Sequence, residues 1–175
     1  MKKTAFILAL LVAFSVGTAS AAQTRIKPAK AVLINAQGEP VGWATLTEVP
    51  GRGVRVQLKV SNLSSGRHAF HIHDVGKADA PDFKSAGGHF NPQHKQHGHK
   101  NPAGAHAGDL PNLLVGKDGK GRADIVVSGV TLGEGENSLF HAGGTSLVVH
   151  ASEDDQRTDP SGNAGARVAC GVIER

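Results

Sequence analysis

The sequence predicts an all-β domain built as an antiparallel sandwich or barrel, and three observations predict it. Apolar residues recur with a period of two rather than 3.6, turn signals separate the runs at short intervals, and no window reads as a long amphipathic helix. In VRVQLKV, Val54, Val56, Leu58 and Val60 fall on one face and Arg55, Gln57 and Lys59 on the other, as a half-buried strand requires. Similar runs recur at AVLINA, WATLTEV, HAFHIH, ADIVVSGV, TSLVVH and ARVACGVI. Between them AQGEP, PGRG, KDGKG and GEGEN are turns, where glycine supplies positive φ or proline breaks a ladder. Many short strands without helical crossovers argue for an antiparallel arrangement. With six Phe, one Trp and no Tyr, the core has to rest on Val, Leu, Ile and Ala.

The chain begins with Lys2 and Lys3, then AFILALLVAFSVG, then the small-residue run TASAAQ. This is the pattern of a secretory signal peptide, and Ala19-Ser20-Ala21 places the cut after Ala21. The competing reading, an N-terminal membrane anchor, needs a longer apolar span. No Cys follows the cut to carry a lipid, so residues 22–175 are expected to be free of the membrane after cleavage. Those 154 residues suit one domain with one core. Loss of Lys2 and Lys3 lowers the formal charge from +4 to +2, and no basic stripe marks a nucleic-acid binder. Cys170 is the chain's one cysteine; it cannot form an internal bridge, and its strand-like surroundings, RVACGVI, predict burial.

Two segments break the rhythm of strand and turn. Residues 74–111 and 151–166 are long, polar and rich in Gly, Pro, Asp and His, which in a compact domain marks functional or disordered loops. The first holds His89, His94, His97, His99 and His106 within 18 residues. Just before it, His71 and His73 in an HxH on a strand point to one face, close enough to share a metal ion, although HxH alone is a weak signal. His150 ends the apolar run SLVVH, where solvation does not explain an imidazole. His89, His97, His106 and Asp109, at gaps of eight, nine and three residues, are a complete tetrahedral donor set for zinc with no open position. Such a site is structural, and it would order a loop too polar to fold by burying apolar surface.

GRHAFHIH, SAGGHFNP, HAGDLPNL, SLVVHASEDD and TDPSGNAGARVACGVI, in this order, resemble the bacterial, exported branch of the copper/zinc superoxide dismutase family. The likeness runs from about residue 30 to the C-terminus. It implies a Greek-key β-sandwich or flattened barrel with two long functional loops, exported to the periplasm as either a monomer or a homodimer. It also implies one copper and one zinc per subunit and the disproportionation of superoxide to oxygen and hydrogen peroxide, with copper alternating between two valences. Carried over residue by residue, the copper ligands are His71, His73, His89 and His150, and the zinc ligands His89, His97, His106 and Asp109. His89 is then the bridging imidazolate, which loses both ring protons only between two cations. Asp154 matches a carboxylate that hydrogen-bonds one ligand of each metal, here His71 and His97; Asp155 beside it reads as an ordinary solvated charge. Arg167 matches the arginine that attracts and orients the anionic substrate, for which a permanently charged fork of donors is suited.

One departure stands out. The family commonly ties the loop after the HxH strand to the C-terminal strand by a disulfide; Cys170 occupies one partner's place, but Ala78 stands at the other. Zinc is therefore expected to carry more of the stability. Of the remaining imidazoles, His68 matches a packing position beside the HxH strand, while His94, His99 and His141 fall outside the ligand set. Two rival readings are a metal buffer exploiting the His-rich loop and a dismutase-like domain without turnover. The first leaves His71, His73, His150 and Arg167 unexplained; the second is disfavoured by a full ligand set.

Overall fold

The computed structural model describes residues 26–175, so the expected signal peptide lies outside the described residues. Nine strands follow in order: β1 (Ala29–Ile34), β2 (Pro40–Val49), β3 (Gly53–Val60), β4 (Gly66–His68), β5 (Phe70–His73), β6 (Leu113–Val115), β7 (Gly121–Val127), β8 (Ser146–His150) and β9 (Arg167–Val172). They form one sheet in the order β4-β6-β7-β3-β2-β1-β9-β8-β5, and its strand pairs are antiparallel. The first and last strands of this list are consecutive in the chain, separated only by Ala69, so the sheet curls round and closes on itself. Ala69 bonds across the join, donating to Ser152 O at 2.8 Å and accepting from His150 N at 2.8 Å. The β3-to-β4 and β7-to-β8 connections cross over other strands, which is the Greek-key arrangement.

In β3 the expected alternation is realised, with Val54, Val56, Leu58 and Val60 buried and the residues between them exposed. The interior also takes Leu33, Leu46, Phe70, Ile72 and Leu147. β5 and β8 are instead buried along their whole lengths. Their inward faces line the core and their outward faces are covered by the segment that follows β5, so period two disappears from view.

Three differences from the sequence reading have physical causes. HAFHIH is split between β4 and β5, because His68 pairs with β6 and Phe70–His73 with β8. β6 has only three residues, too few to show a period. Residues 128–145 form a third long crossing without a strand, in which buried Val130, Leu132 and Leu139 join the core in place of a regular element.

A second, smaller apolar cluster lies outside the barrel. Phe83 and Ala86, from a short 3-10 turn and its approach, pack on Val148 and Cys170, with Ile34 and Ala78 at the edge. This cluster is what holds the loop after β5 against β8 and β9. Cys170 is fully buried, as its sequence neighbours predict, and burial lifts its thiol to about 11, so it is not a nucleophile. Ala78 shares the cluster with Cys170, and Cys170 Sγ lies 3.7 Å from Lys77 O. Ala78→Cys is expected to close a bridge under oxidising conditions and to stabilise the metal-free chain by up to about 4–5 kcal/mol, since the closed loop spans about 90 residues. Melts with and without reductant measure it, and equal midpoints would show that no bridge forms.

Candidate metal centre

The pleat of β5 divides its side chains: Phe70 and Ile72 enter the core, while His71 and His73 face outward beneath the loops. β5 has a partner on one side, β8, and the loop after β5 takes the other edge. Phe90 N donates to Ile72 O at 2.8 Å, Ile72 N to Gly108 O at 2.9 Å, and Gly108 N to Phe90 O at 2.9 Å. Gly108 is required for this approach, since a Cβ there would lie 2.2 Å from Ile72 O. Isolated bridges set His89 opposite His73 and Asp109 opposite His71. His150 joins them from the end of β8, where the register with β9 slips between Val149 and His150.

His71, His73, His89 and His150 converge, with one ring nitrogen from each all within 4.8 Å of one another. The converging face holds His71 Nδ1, His73 Nε2, His89 Nε2 and His150 Nε2, and each is buried without a hydrogen-bond partner. Four orphaned imidazole nitrogens aimed at one point are costly unless a cation completes them. Three of the opposite ring nitrogens are anchored: His71 Nε2 donates to Asp154 Oδ2 at 2.8 Å, His73 Nδ1 to Gly87 O at 3.0 Å, and His150 Nδ1 to Gly165 O at 3.3 Å. These bonds fix each ring with its bare nitrogen inward. Burial first, and then the neighbouring imidazoles and Arg167, hold His73 near 2; burial holds His71 near 3 and His150 near 4. All three are neutral, the state in which an imidazole ligates.

His89 turns its other nitrogen to a second set. His89 Nδ1, His97 Nδ1 and His106 Nδ1 lie 2.8, 3.0 and 3.2 Å from Asp109 Oδ1, and His106 Nδ1 is 3.3 Å from His89 Nδ1. Ligands about 2.0–2.1 Å from a tetrahedral zinc ion are separated by about 3.3 Å, so these four atoms have the edges of a zinc site. The remaining oxygen, Asp109 Oδ2, accepts from Gly98 N at 2.8 Å and His106 N at 2.9 Å. Burial works against the Asp109 carboxylate, but the three imidazoles hold it far below the usual range. Burial likewise opposes charge on His97, yet Asp109 and Asp154 lift it to about 9.

Asp154 spans the two sets, taking His71 Nε2 on Oδ2 and His97 Nε2 on Oδ1 at 3.0 Å. It is buried and fixed in turn by Gln156, whose backbone N–H donates to Oδ1 at 2.6 Å and whose amide donates to Oδ2 at 2.8 Å. Gly162, at φ +63°, closes over this bridge; a Cβ there would stand 1.8 Å from Asp154 Oδ1 and 2.7 Å from His97 Nε2.

The sequence profile of the family described as copper/zinc superoxide dismutase matches residues 41–173. This chain belongs to that family. A superoxide dismutase [Cu-Zn] of Aquifex aeolicus is 50% identical over 144 residues, covering 81% of this chain and 85% of the relative. One from Caulobacter vibrioides is 44% identical over 149 residues, covering 83% and 85%. Among solved structures, a double mutant of a SOD-like protein from Bacillus subtilis superposes with a TM-score of 0.80 at 40% identity, covering 83% of this chain and 97% of that one. Copper and zinc are therefore the metals that the family implies, and the two donor sets fit a pair of such ions.

The structure brings His71, His73, His89, His97, His106, Asp109, His150 and Asp154 together, and Arg167 stands beside them. Arg167 donates through Nη1 to Phe83 O and through Nη2 to Gly87 O, both at 2.6 Å, so it shares the Gly87 carbonyl with His73. His94 and His99 are exposed; His99 Nε2 donates to Asp109 O at 3.1 Å, and among the described residues neither joins a donor cluster. His141 stacks on Phe90 with ring centres 5.5 Å apart. His68 is buried, with Nδ1 2.7 Å from His150 O and Nε2 2.9 Å from Ser64 O. Asp155 caps its own loop, accepting from Thr158 Oγ1 at 2.6 Å and Asn163 Nδ2 at 3.0 Å. The sequence reading missed Gln156, Gly162 and the carbonyl of Gly87. Gly162 and the Gly87 carbonyl act through backbone, and a lone Gln in a polar loop carries no signal.

These titrations set the acid behaviour of the metal-free chain. His71, His73 and His150 titrate below the ordinary value of 6.5, so as pH falls the unfolded chain takes up their protons first. Their contribution is whole above about pH 6.5 and drains away as pH falls towards about 2. His97, raised to about 9, works oppositely: its contribution is present below 6.5 and is lost as pH rises through about 9. The metal-free chain is expected to be most stable between these limits, and to lose several kcal/mol by about pH 5. Urea titrations at a series of pH values measure this, and a midpoint that holds or rises towards pH 5 would contradict it.

Proposed function

We propose that the protein disproportionates superoxide, turning two superoxide anions and two protons into oxygen and hydrogen peroxide. His71, His73, His89 and His150 hold copper, and His89, His97, His106 and Asp109 hold zinc, one ion of each per chain. The observation that carries this reading is the convergence of four buried, unpartnered imidazole nitrogens beside a second set that shares His89. When bound, copper supplies the one-electron couple that accepts an electron from one superoxide and returns it to the next, while zinc, with a single valence, supplies charge and order.

The chain's own groups do the rest. Arg167, held by Phe83 O and Gly87 O, keeps donors of its five-donor fork beyond those two bonds and presents a fixed positive charge next to His73. It draws in the anion and orients it. His89 carries the proton: its Nε2 faces the first set, and its Nδ1, directed at Asp109, keeps the ring aligned while Nε2 takes up and delivers a proton to the reduced product. Asp154 fixes His71 and His97 together, so the two sets move as one.

Residues 1–21 act as a signal peptide, which places the mature domain in the periplasm. No helix among the described residues is long and apolar enough to cross a membrane. The deciding experiment loads the purified protein with copper and zinc, counts the metals bound and follows superoxide consumption. One equivalent of each metal with fast turnover is expected; graded binding of several ions without turnover would instead mark a metal buffer.

A further inference from the structure

Among the described residues five large apolar side chains are exposed, and the three most exposed lie on one line. Val32 (57%), Trp43 (55%) and Leu114 (66%) outrank Ile26 (37%) and Val126 (40%). The sheet register builds the line: Val32 pairs with Trp43, Trp43 with Lys59 and Lys59 with Arg122, and Leu114 follows beside the Val115–Gly121 pair. The outer surface of β1, β2, β3, β7 and β6 thus carries a transverse row reading apolar, aromatic, cation, cation, apolar. A shallow cleft of about 360 Å³ opens along it, with Trp43 and Leu114 on its walls and Lys59, Lys120 and Arg122 against one acid, Asp118. Lys59 lies 5.4 Å from the Trp43 ring centre, and none of the three cations makes an ion pair among the described residues, whereas nearby Arg55 and Arg67 are paired with Asp124 and Glu153.

We propose that this face docks onto an anionic lipid bilayer. Trp, with an apolar body and a polar N–H, suits the boundary between acyl chains and headgroups, and Lys and Arg extend to anionic headgroups while their stems stay apolar. Val32 and Leu114 call for an apolar phase, which a hydrated polyanion does not offer. A second copy fits poorly, because a two-fold contact across this face would set Lys59 and Arg122 against their own counterparts. The placement also keeps the metal centre clear: counted around the closed barrel, β2 and β3 lie farthest from β5 and β8, so a chain resting on Trp43 turns its histidine cluster away from the surface.

Trp43 is the chain's single tryptophan and reports directly on this contact. The copper- and zinc-loaded protein is mixed with phosphatidylcholine vesicles, with or without phosphatidylglycerol, and followed by flotation and by tryptophan emission. Binding to the anionic vesicles with a blue shift is expected, at least tenfold weaker on phosphatidylcholine alone. Removing both charges in Lys59→Gln/Arg122→Gln should weaken partition about 25-fold, at about fivefold per cation. Trp43→Ala and Leu114→Ser should weaken it too, with superoxide turnover unchanged. Any of three results overturns the proposal: no flotation and no shift on anionic vesicles, a shift that follows protein concentration without lipid, or tighter binding of soluble dextran sulfate that survives Trp43→Ala.

Discussion

His150→Ala is expected to abolish superoxide turnover while leaving zinc bound. His150 supplies one of the four unpartnered nitrogens of the first set and none of the second, so its removal breaks one donor group and spares the other. Substituting a residue that merely supports a metal ligand costs about tenfold to a hundredfold in affinity or activity, and losing the ligand costs more. A fall of at least a hundredfold is therefore expected, with copper content reduced and zinc near one equivalent. Arg167 gives the complementary case. Arg167→Ala should keep both metals and lower kcat/KM about tenfold or more, with a weaker dependence on salt, because the fixed charge that steers the anion is gone. Since the change also removes one of two donors each from Phe83 O and Gly87 O, Arg167→Lys is the control: it keeps the charge, and turnover should fall less. Full turnover in His150→Ala would mean that the histidine cluster is not the reactive centre.

Removing zinc is expected to cost about 8–16 °C in melting temperature. Zinc at a thousand times its dissociation constant adds about 4 kcal/mol, and about 2–4 °C per kcal/mol applies to a domain of this size. The reason for so strong a dependence is local. The long segment after β5 contains one 3-10 turn, Lys84–Ala86, and its apolar anchorage is limited to the small cluster around Phe83 and Cys170 and to Phe90 and Leu110, which reach the main core. His89, His97, His106 and Asp109 all come from that segment, and Ala78 leaves Cys170 without a covalent partner. Calorimetry of the zinc-loaded protein and of the same protein after chelation checks this, and a difference below about 3 °C would show that the loop is held by other means.

The family pattern was legible because the site is mostly local in sequence. HIH needs only the pleat of one strand to face two imidazoles the same way, and four donors within residues 89–109 need only one ordered loop. The β3 face was equally plain, since one side of that strand meets the core and the other meets water. β5 and β8 were harder, because loops cover their outer sides and remove the polar half of the alternation. β6 was invisible: three residues have no period, and they form a strand only because β4 and β7 are already alongside.

What the amino-acid sequence by itself determined was the donor chemistry, which residues can ligate and how closely they are spaced; the resemblance to the family added the shared imidazole and the alanine at the disulfide position. Only the tertiary structure decided how those donors are held. Asp154 clasps His71 and His97 because Gln156 and Gly162 close on it from a loop more than fifty residues from His97. Arg167 reaches Gly87 O across 80 positions. Val32, Trp43 and Leu114 form one row only through the register of separate strands. Side-chain type is fixed residue by residue, but the direction in which a ring nitrogen or an exposed indole points depends on partners brought by chain closure. No local pattern contains them.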